Sequence, residues 1–318
     1  MLVHNHIAHS VLMVRPAQFG FNPETSSSNF FQNKLEVERV SDEALLEFDG
    51  VVEQLRNVGI EVLVSQSDDL LAPDCIFPNN CFSTHEENKL FIYPMMAANR
   101  QRERNGNMLV DLKNNFMVDE IQDFSKYEEE FLYLEGTGSI VFDHLQKIAF
   151  AIRSPRTDEV VFTDVCSALH YTPFLFTCID AHQQPIYHTN VIMNMGLGYV
   201  LYYEDGIIDP LEKSKLLQFF KEGNLEAISI SWNQVLHFCG NMLQLQNKEG
   251  KLFTICSTSA YQNLTIEQKG LISKRSNFLV VDIRMIEKIG GGGIRCMLAE
   301  VFLRSRSVKH VDGFPERT

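Results

Sequence analysis

A unit of two paired strands, a helical stretch and a third short strand recurs along this chain, and it constrains the fold more than any other feature. Helical patterns at residues 158–170 and 210–220 are each followed by a short apolar strand, at residues 174–176 and 227–230. The unit repeats at roughly fifty to sixty residues, a spacing typical of repeat architectures. The predicted hairpins pair residues 80–84 with 89–93, 139–142 with 148–151, 191–193 with 199–202, and 242–245 with 252–255.

The two ends of the sequence together supply a fifth unit. A strand at residues 11–14 precedes a helical pattern that runs from about residue 35 to 58, and a strand at residues 61–64 follows. The last strand, residues 296–303, has no partner after it, so pairing with residues 11–14 would close a ring without open sheet edges. We therefore predict an α/β fold, a five-bladed α/β propeller with pseudo-fivefold hairpin-helix-strand repeats, as a single domain over residues 1–318.

Polar or small residues stand at the start of each predicted hairpin, where apolar residues would be expected. In a closed ring, equivalent positions converge on one end of the axis, so the pattern predicts a pocket lined by asparagine, glutamate, histidine and cysteine. The alternative is that these are ordinary turn residues, because Asn and Gly favour turns. The segments are residues 78–80, 135–138, 187–190, 240–241 and 294–296.

A run of four glycines, residues 290–293, comes just before Cys296. Glycine permits backbone conformations closed to other residues and lets a ligand approach closely. The run lacks the Gly-Lys-Ser/Thr of a phosphate-binding loop and the strand, helix and distal acid of a dinucleotide site. It suits a nucleophilic thiol on an open turn, with Arg295 favouring the thiolate. A flexible loop before a core cysteine is the alternative.

Four further side chains could take part in chemistry with Cys296. His188 begins an apolar strand and could exchange protons with a thiol or a leaving amine. Glu135, between an apolar run and glycines, could accept a hydrogen bond from the other ring nitrogen of His188. Arg156 and Arg100 follow the second and first hairpins, and either could bind a substrate carboxylate or be a solvated charge at a helix start.

Charge and composition argue against several classes of protein. A formal net charge of −13 and a pI near 5.2 disfavour nucleic-acid binding. The sequence shows neither a secretory signal at its start nor a run of about 20 apolar residues, so we predict a cytoplasmic protein without membrane contact. Its seven cysteines are scattered without a C-x-x-C pair, so we expect free thiols, no metal site and no cofactor.

Six segments, taken together in the order in which they occur along the chain, resemble the amidinotransferase and arginine-deiminase-like superfamily. The fold of that superfamily is the five-bladed α/β propeller called the pentein fold. The resemblance is greatest to its citrulline utilisation hydrolase branch. It implies that Cys296 is the nucleophile, that His188 handles protons and that Glu135 orients His188. The segments are residues 77–80, 134–138, 154–157, 186–191, 240–243 and 290–301.

The resemblance also implies a substrate site. Arg156 would bind the substrate α-carboxylate, with Arg100 as the other candidate for that role. The remaining predicted substrate-binding residues are the asparagines at the starts of the hairpins, Asn79, Asn80, Asn190 and Asn241.

The chain departs from the deiminases of this superfamily, which typically have aspartates at the positions of Asn80, Asn190 and Gly138. A guanidinium without anions would be a poorly compensated buried charge, whereas asparagine complements a neutral ureido group. We therefore expect hydrolysis of citrulline to ornithine, ammonia and carbon dioxide through a carbamoyl group on Cys296.

Other activities stay open at this point. The first alternatives are arginine or methylarginine deimination and amidino transfer, which would use the same nucleophile. A pentein-fold binding protein without catalysis is the alternative from another class. The expected partner is a small amino-acid substrate, and the sequence leaves the oligomeric state open, a homo-oligomer included.

Overall fold

The computed structural model describes residues 6–26, 29–32 and 40–306. Within these residues the strands are short and evenly spread along the chain. They are β1 (Ser10–Arg15), β2 (Glu61–Gln66), β3 (Phe82–His85), β4 (Lys89–Ile92), β5 (Glu120–Asp123), β6 (Ile140–Asp143), β7 (Ile148–Ile152), β8 (Thr172–Phe176), β9 (Met193–Gly196), β10 (Tyr199–Tyr202), β11 (Glu226–Ser229), β12 (Leu243–Gln246), β13 (Leu252–Ser257), β14 (Asn277–Val281) and β15 (Ala299–Val301).

Helices connect the strands, and several begin at side-chain caps. Asp158 and Asp209 each accept hydrogen bonds from two backbone N–H groups of the following turn, which ends the preceding loop and starts a helix. The helices are α1 (Val40–Asn57), α2 (Ala98–Gln101), α3 (Asn107–Asn115), α4 (Gly136–Ser139), α5 (Glu159–Leu169), α6 (Pro210–Glu222), α7 (Trp232–Leu236), α8 (Thr258–Asn263), α9 (Ile266–Ser273), α10 (Arg284–Gly290) and α11 (Ile294–Met297). None of them, over the described ranges, is long and apolar enough to cross a bilayer.

The strands form five sheets of three strands each, and all five share one plan. In four of them an antiparallel hairpin is followed by a third strand that runs parallel to the second, as β3, β4 and β5 do. The same order holds for β6–β8, β9–β11 and β12–β14. This arrangement confirms the hairpin-helix-strand repeat predicted from the sequence.

The fifth sheet combines the two ends of the chain. Strand β1 lies between β15, with which it pairs antiparallel, and β2, with which it pairs parallel. Val11 pairs with Glu300 in this register, so the first strand supplies the partner that the last strand lacked in the sequence pattern. The predicted pairing of the two terminal strands is confirmed.

The middle strands are largely buried, most completely in two of the sheets. All five residues of β7 and all four of β10 are buried, whereas the third strands β5 and β8 keep exposed positions. Apolar residues on both faces of the middle strand therefore pack against helices and neighbouring sheets. This packing holds the start of each hairpin in a fixed place.

Four of the predicted strands begin with a residue that the structure places in a short helical turn and not in a strand, namely Asn80, Ser139, Val191 and Cys296. Asn80 ends a 3₁₀ turn at Pro78–Asn80, Asn190 lies in another at Thr189–Val191, and Cys296 lies in α11 rather than in the predicted strand of residues 296–303. A strand would point successive side chains to opposite faces, whereas a helical turn can direct neighbouring side chains into one space.

The first predicted helix, from about residue 35 to 58, is present from Val40 to Asn57 as α1. Its predicted residues 35–39 lie outside the described part of the chain.

Candidate active site

The thiol of Cys296 lies on the short helix α11, directly after the glycine run. Gly293 is the residue before this helix, and its carbonyl accepts a hydrogen bond from the Cys296 backbone N–H at 3.1 Å. The Cys296 residue is 7% exposed, so it is largely buried. The open turn expected from the sequence is therefore a helical turn in a largely enclosed site.

Two asparagines from neighbouring sheets contact the sulfur. The Nδ2 atom of Asn241 lies 3.4 Å from Cys296 Sγ, and that of Asn190 lies 3.6 Å away. Burial raises the pKa of the Cys296 thiol, while these two amides and the charge of Arg295 partly oppose the rise. The free protein therefore holds Cys296 mainly as a thiol near neutral pH.

His188 and Glu135 form a direct pair, as the sequence predicted. His188 Nε2 lies 2.8 Å from Glu135 Oε2, and both side chains are buried. Glu135 also accepts hydrogen bonds from Arg156 Nη1 at 3.2 Å and from the Met96 backbone N–H at 3.1 Å. Three donors therefore converge on one buried carboxylate.

The charge states of this pair follow from its surroundings. Burial alone would raise the pKa of Glu135, but Arg156, His188 and Arg100 outweigh burial and hold it well below its ordinary value. Burial lowers the pKa of His188 to about 4, although Glu135 opposes this change. An ionised Glu135 can only accept, so the neutral His188 ring carries its proton on Nε2 and leaves Nδ1 as the base.

Asn80 and His188 meet at Gly138, where the deiminases typically have an aspartate. A Cβ atom at residue 138 would overlap Asn80 Oδ1 and would lie 2.8 Å from His188 Nδ1. Asn79 lies beside the same turn, where its backbone carbonyl accepts a hydrogen bond from the Thr137 hydroxyl. This packing leaves no space for a side chain at residue 138 without displacing the imidazole or the carboxamide.

Several polar atoms here have no hydrogen-bond partner among the described residues. They include both side-chain polar atoms of Asn79 and the Oδ1 atoms of Asn80 and Asn190. Unpaired buried amides are costly, so they are typical of a site that completes its hydrogen bonds with a ligand.

Arg100 lies near Glu135 but is paired elsewhere. Its guanidinium bonds to both carboxylate oxygens of Glu103 and to the Phe77 carbonyl. Two further buried carboxylates were not among the predicted site residues. They are Glu103 and Asp74, whose side chain bonds to Asn22 and Thr25. No sequence pattern distinguished these two carboxylates from surface charges. Glu103 is only three residues from Arg100, but the burial of this pair is not visible in the sequence. The partners of Asp74 are brought to it by the fold.

Asp74 and Arg156 are connected through Thr25. The Thr25 hydroxyl donates to Asp74, and its carbonyl accepts from Arg156 Nη2 at 3.3 Å. Burial raises the pKa of Asp74, with Arg100 and Arg156 opposing this change. A carboxylate and two guanidinium groups therefore lie within electrostatic range of each other, a combination that suits the two charged groups of an amino acid.

Residues 29–32 contact the glycine run. Gln32 donates from its side chain to the Gly290 carbonyl at 3.1 Å, and the Phe31 ring packs 5.1 Å from that of Phe238. Tyr187, next to His188, donates its hydroxyl to the Gly291 carbonyl at 3.3 Å. These contacts hold the glycine run that precedes Cys296 against neighbouring segments.

The predicted residues therefore fall into two adjoining groups. Asn190 and Asn241 surround the sulfur, while His188, Glu135 and Arg156 form the ionic group, with Asn79, Asn80 and Arg100 beside it. Asn190 joins the groups, since it is two residues from His188 and touches Cys296. In the described part of the chain no hydrogen bond links Cys296 directly to His188. No cluster of three or more possible metal ligands occurs among those residues.

Comparison with known proteins identifies the family. A family model described as N,N dimethylarginine dimethylhydrolase, eukaryotic, matches residues 15–303. No curated protein matches the sequence. Several solved structures share the fold at low sequence identity, and they confirm the predicted pentein class.

One of these structures is the N-terminal domain of ArgZ, an arginine dihydrolase from the ornithine-ammonia cycle in cyanobacteria, as a cysteine-to-serine mutant bound to substrate. It is 16% identical, with a TM-score of 0.70 over 92% of this chain and 97% of that domain. The chain spans only 40% of the longer ArgZ chain.

A second is DDAH from Pseudomonas aeruginosa, a cysteine-to-serine mutant complexed with citrulline. It is 12% identical, with a TM-score of 0.62 over 93% of this chain and 100% of that one. A third, an AgrE mutant in binary complex with L-arginine, is 17% identical, with a TM-score of 0.70 over 94% of this chain and 41% of that one.

The family match covers nearly the whole chain and confirms the predicted superfamily. It also confirms the predicted class of enzyme, a hydrolase of guanidino or ureido C–N bonds, while the citrulline utilisation branch stays a prediction. The chain belongs to the N,N dimethylarginine dimethylhydrolase family, eukaryotic type, within the pentein superfamily.

Proposed function

We propose that this protein hydrolyses the ureido group of citrulline, with Cys296 as nucleophile, His188 as proton carrier and Glu135 as the group that orients His188. One observation carries the choice of substrate. The side chains that contact the sulfur in the described part are carboxamides, those of Asn190 and Asn241, while Glu135 is already bonded to His188 and Arg156. A cationic guanidinium would therefore find no unengaged anion beside the nucleophile.

The charged side chains beside Glu135 support an amino acid as the substrate. Arg156 and Arg100 offer guanidinium donors for an α-carboxylate, and Asp74 offers an acceptor for an α-ammonium group. The Oδ1 atom of Asp74 is buried and has no hydrogen-bond partner among the described residues, so it can accept from a ligand. Both arginines already have acidic partners, Glu135 and Glu103, so they keep their charge without a substrate.

The first half of the reaction breaks the bond between the ureido carbon and the δ-nitrogen. Cys296 gives its proton to His188 Nδ1, and the thiolate attacks the ureido carbon. His188 then passes that proton to the δ-nitrogen as the C–N bond breaks, and ornithine leaves. The carbamoyl group remains on Cys296 as a thioester.

The second half releases the carbamoyl group. His188, again neutral, takes a proton from water, and the resulting hydroxide attacks the thioester carbon. The carbon–sulfur bond breaks, the Cys296 thiolate regains a proton from His188, and carbamic acid leaves to decompose into ammonia and carbon dioxide. The side-chain oxygens of Asn80 and Asn190, which have no partner in the described part of the chain, can accept from the ureido N–H groups.

The test is incubation with citrulline, arginine and methylarginine in separate reactions, with ornithine, citrulline and ammonia each measured. We expect ornithine and ammonia from citrulline, and loss of both in Cys296→Ala. Turnover of arginine or methylarginine without turnover of citrulline would overturn the substrate assignment but would keep the nucleophile.

Deimination of arginine or methylarginine is the second candidate. The family match and the AgrE mutant in complex with L-arginine favour it. It would give citrulline as product, so the same product analysis distinguishes it. Amidino transfer would need an added acceptor amine, and a binding protein without catalysis would give no product from any substrate.

A further inference from the structure

The carboxamide of Asn241 is held on three sides by the protein. Its Oδ1 accepts the Arg295 backbone N–H at 3.1 Å, and its Nδ2 donates to the Asn190 carbonyl at 3.0 Å. The same Nδ2 lies 3.4 Å from Cys296 Sγ, and the whole residue is buried. Unlike Asn79, Asn80 and Asn190, Asn241 has no side-chain polar atom without a partner among the described residues.

These contacts fix which end of the amide faces the sulfur. If the amide were rotated by half a turn, its NH₂ group would face the Arg295 N–H and its oxygen would face the Asn190 carbonyl. Both contacts would then be repulsive, donor to donor and acceptor to acceptor. The NH₂ group of Asn241 therefore stays within reach of Cys296.

The last glycine of the run makes this arrangement possible. A Cβ atom at Gly293 would lie 2.6 Å from Asn241 Oδ1, which is too close for an unstrained contact. With any other residue at 293, the carboxamide would be pushed away from the Arg295 N–H. Gly293 thus gives the run a role in placing an amide beside the nucleophile.

We propose that Asn241 stabilises the Cys296 thiolate and does not bind the substrate. Asn190 supplies a second and longer N–H···S contact at 3.6 Å. In the thiol state the S–H group can donate to Asn241 Oδ1, also at 3.6 Å. When His188 removes the proton, the N–H of Asn241 replaces that bond, so the same side chain serves both states of the sulfur. This inference rests on the proposed nucleophile Cys296 but not on the identity of the substrate.

The charged and titratable groups around the sulfur do not provide an equivalent contact. The Arg295 guanidinium points to Glu300, 2.8 Å away, beside a separate cavity of about 100 Å³. Tyr187 donates its hydroxyl to a backbone carbonyl, and His188 donates Nε2–H to Glu135. The amide donors are therefore the ones that contact a negative sulfur directly.

The experiment measures the alkylation rate of Cys296 by iodoacetamide as a function of pH in the full chain. Mass spectrometry of the Cys296 peptide separates this thiol from the six other cysteines, which are also buried. The variants are Asn241→Asp and Asn241→Ala. The control is Asn194→Ala, a buried asparagine that bonds to the Met242 carbonyl.

The two variants separate an electrostatic role from a structural one. Asp keeps the oxygen that accepts the Arg295 N–H, so a purely structural role predicts that Asp disturbs Cys296 less than Ala. A thiolate-stabilising role predicts the opposite order, because Asp removes the donors and adds a negative charge. Loss of a hydrogen bond to a charged group shifts a pKa by about one to two units, so we expect such a rise for Ala and a larger one for Asp.

The wild-type pH profile in Asn241→Ala, or a larger shift in Ala than in Asp, would overturn the proposal. If Asn241→Asp does not fold, the comparison of Asn241→Ala with Asn194→Ala decides it, since only the first should move the profile. If citrulline is a substrate, kcat should fall at least tenfold in Asn241→Ala while KM changes less than about twofold. Failure of citrulline turnover in the wild type would leave the alkylation test valid.

Discussion

Replacement of Glu135 by glutamine should separate its role in catalysis from its role in stability. The carboxylate is fully buried and bonds to His188, to Arg156 and to the Met96 backbone. Glu135→Gln keeps the shape but removes the charge, which leaves the Arg156 guanidinium buried without its ionic partner. Loss of one partner of a buried ion pair costs about 3–5 kcal/mol, and we expect the free energy of unfolding at pH 7 to fall by that amount.

The pH dependence of this loss follows from the lowered pKa of Glu135. A carboxyl group whose pKa is lower in the folded than in the unfolded state adds stability above its unfolded pKa. That stability is lost as the pH falls through the folded value. The difference in unfolding free energy between wild type and Glu135→Gln should therefore be constant above about pH 5.5 and shrink below about pH 4.5. Urea denaturation at several pH values measures it.

The catalytic effect has a different cause. A glutamine can donate as well as accept, so it no longer fixes the proton of His188 on Nε2. The base on Nδ1 is then lost in part of the molecules, and kcat should fall by about two to four powers of ten. Steady-state kinetics with the substrate identified by product analysis gives this number.

Glu128→Gln is a matched control. Glu128 accepts the backbone N–H of Met95, the neighbour of Met96, and pairs with Arg104. The change therefore breaks contacts similar to those of Glu135 but does not involve a histidine. It should lower stability but leave kcat unchanged. A wild-type kcat in Glu135→Gln, or equal losses of kcat in both variants, would refute the orienting role of Glu135.

Three further predictions test other features. Burial raises the pKa of Glu287 to about 8, so this group lowers the stability of the fold increasingly as the pH rises from 4.5 to 8. Glu287→Gln should therefore raise the unfolding free energy, measured in urea, by up to about 3 kcal/mol at pH 7 and by little at pH 4.5. Gly138→Ala should lower kcat/KM by about a hundredfold, because the methyl group displaces the His188 ring, whereas Gly50→Ala in α1, where a Cβ meets no atom within 4 Å, should leave it unchanged. Because burial raises the pKa of Cys296, its alkylation rate in the wild type should keep rising between pH 7 and 9, and a plateau below pH 8 would contradict the buried thiol.

The sequence was sufficient to predict the repeat, because strand pairing leaves a clear pattern. Apolar runs separated by polar turns marked the two strands of each hairpin. The last strand lacked a partner in this pattern, and β1 was the strand left to pair with it. The short turns at Pro78–Asn80 and Ile294–Met297 were not predicted, since three or four residues are too few to show a helical period.

Most long-range partners were beyond the sequence. The pairing of His188 with Glu135 was predicted because an imidazole base needs an acceptor for its other ring nitrogen. The bond of Arg156 to the same carboxylate was not predicted, since Arg156 was expected to bind the substrate carboxylate. Asp74 was missed because its partners Asn22 and Thr25 are far away in the chain. The cytoplasmic location stays a prediction, and the oligomeric state stays open.

The pairing of β1 with β15 has a consequence for the order in which the molecule is assembled during synthesis. His188 and Glu135 are synthesised long before Cys296. The antiparallel partner of β1 is complete only once residue 301 has left the ribosome. Joining segments so distant in sequence is entropically slow, so this sheet should form after the other four. In a nascent chain, His188 and Glu135 are therefore present without the nucleophile. Cys296 takes its place in the site only when the last sheet forms.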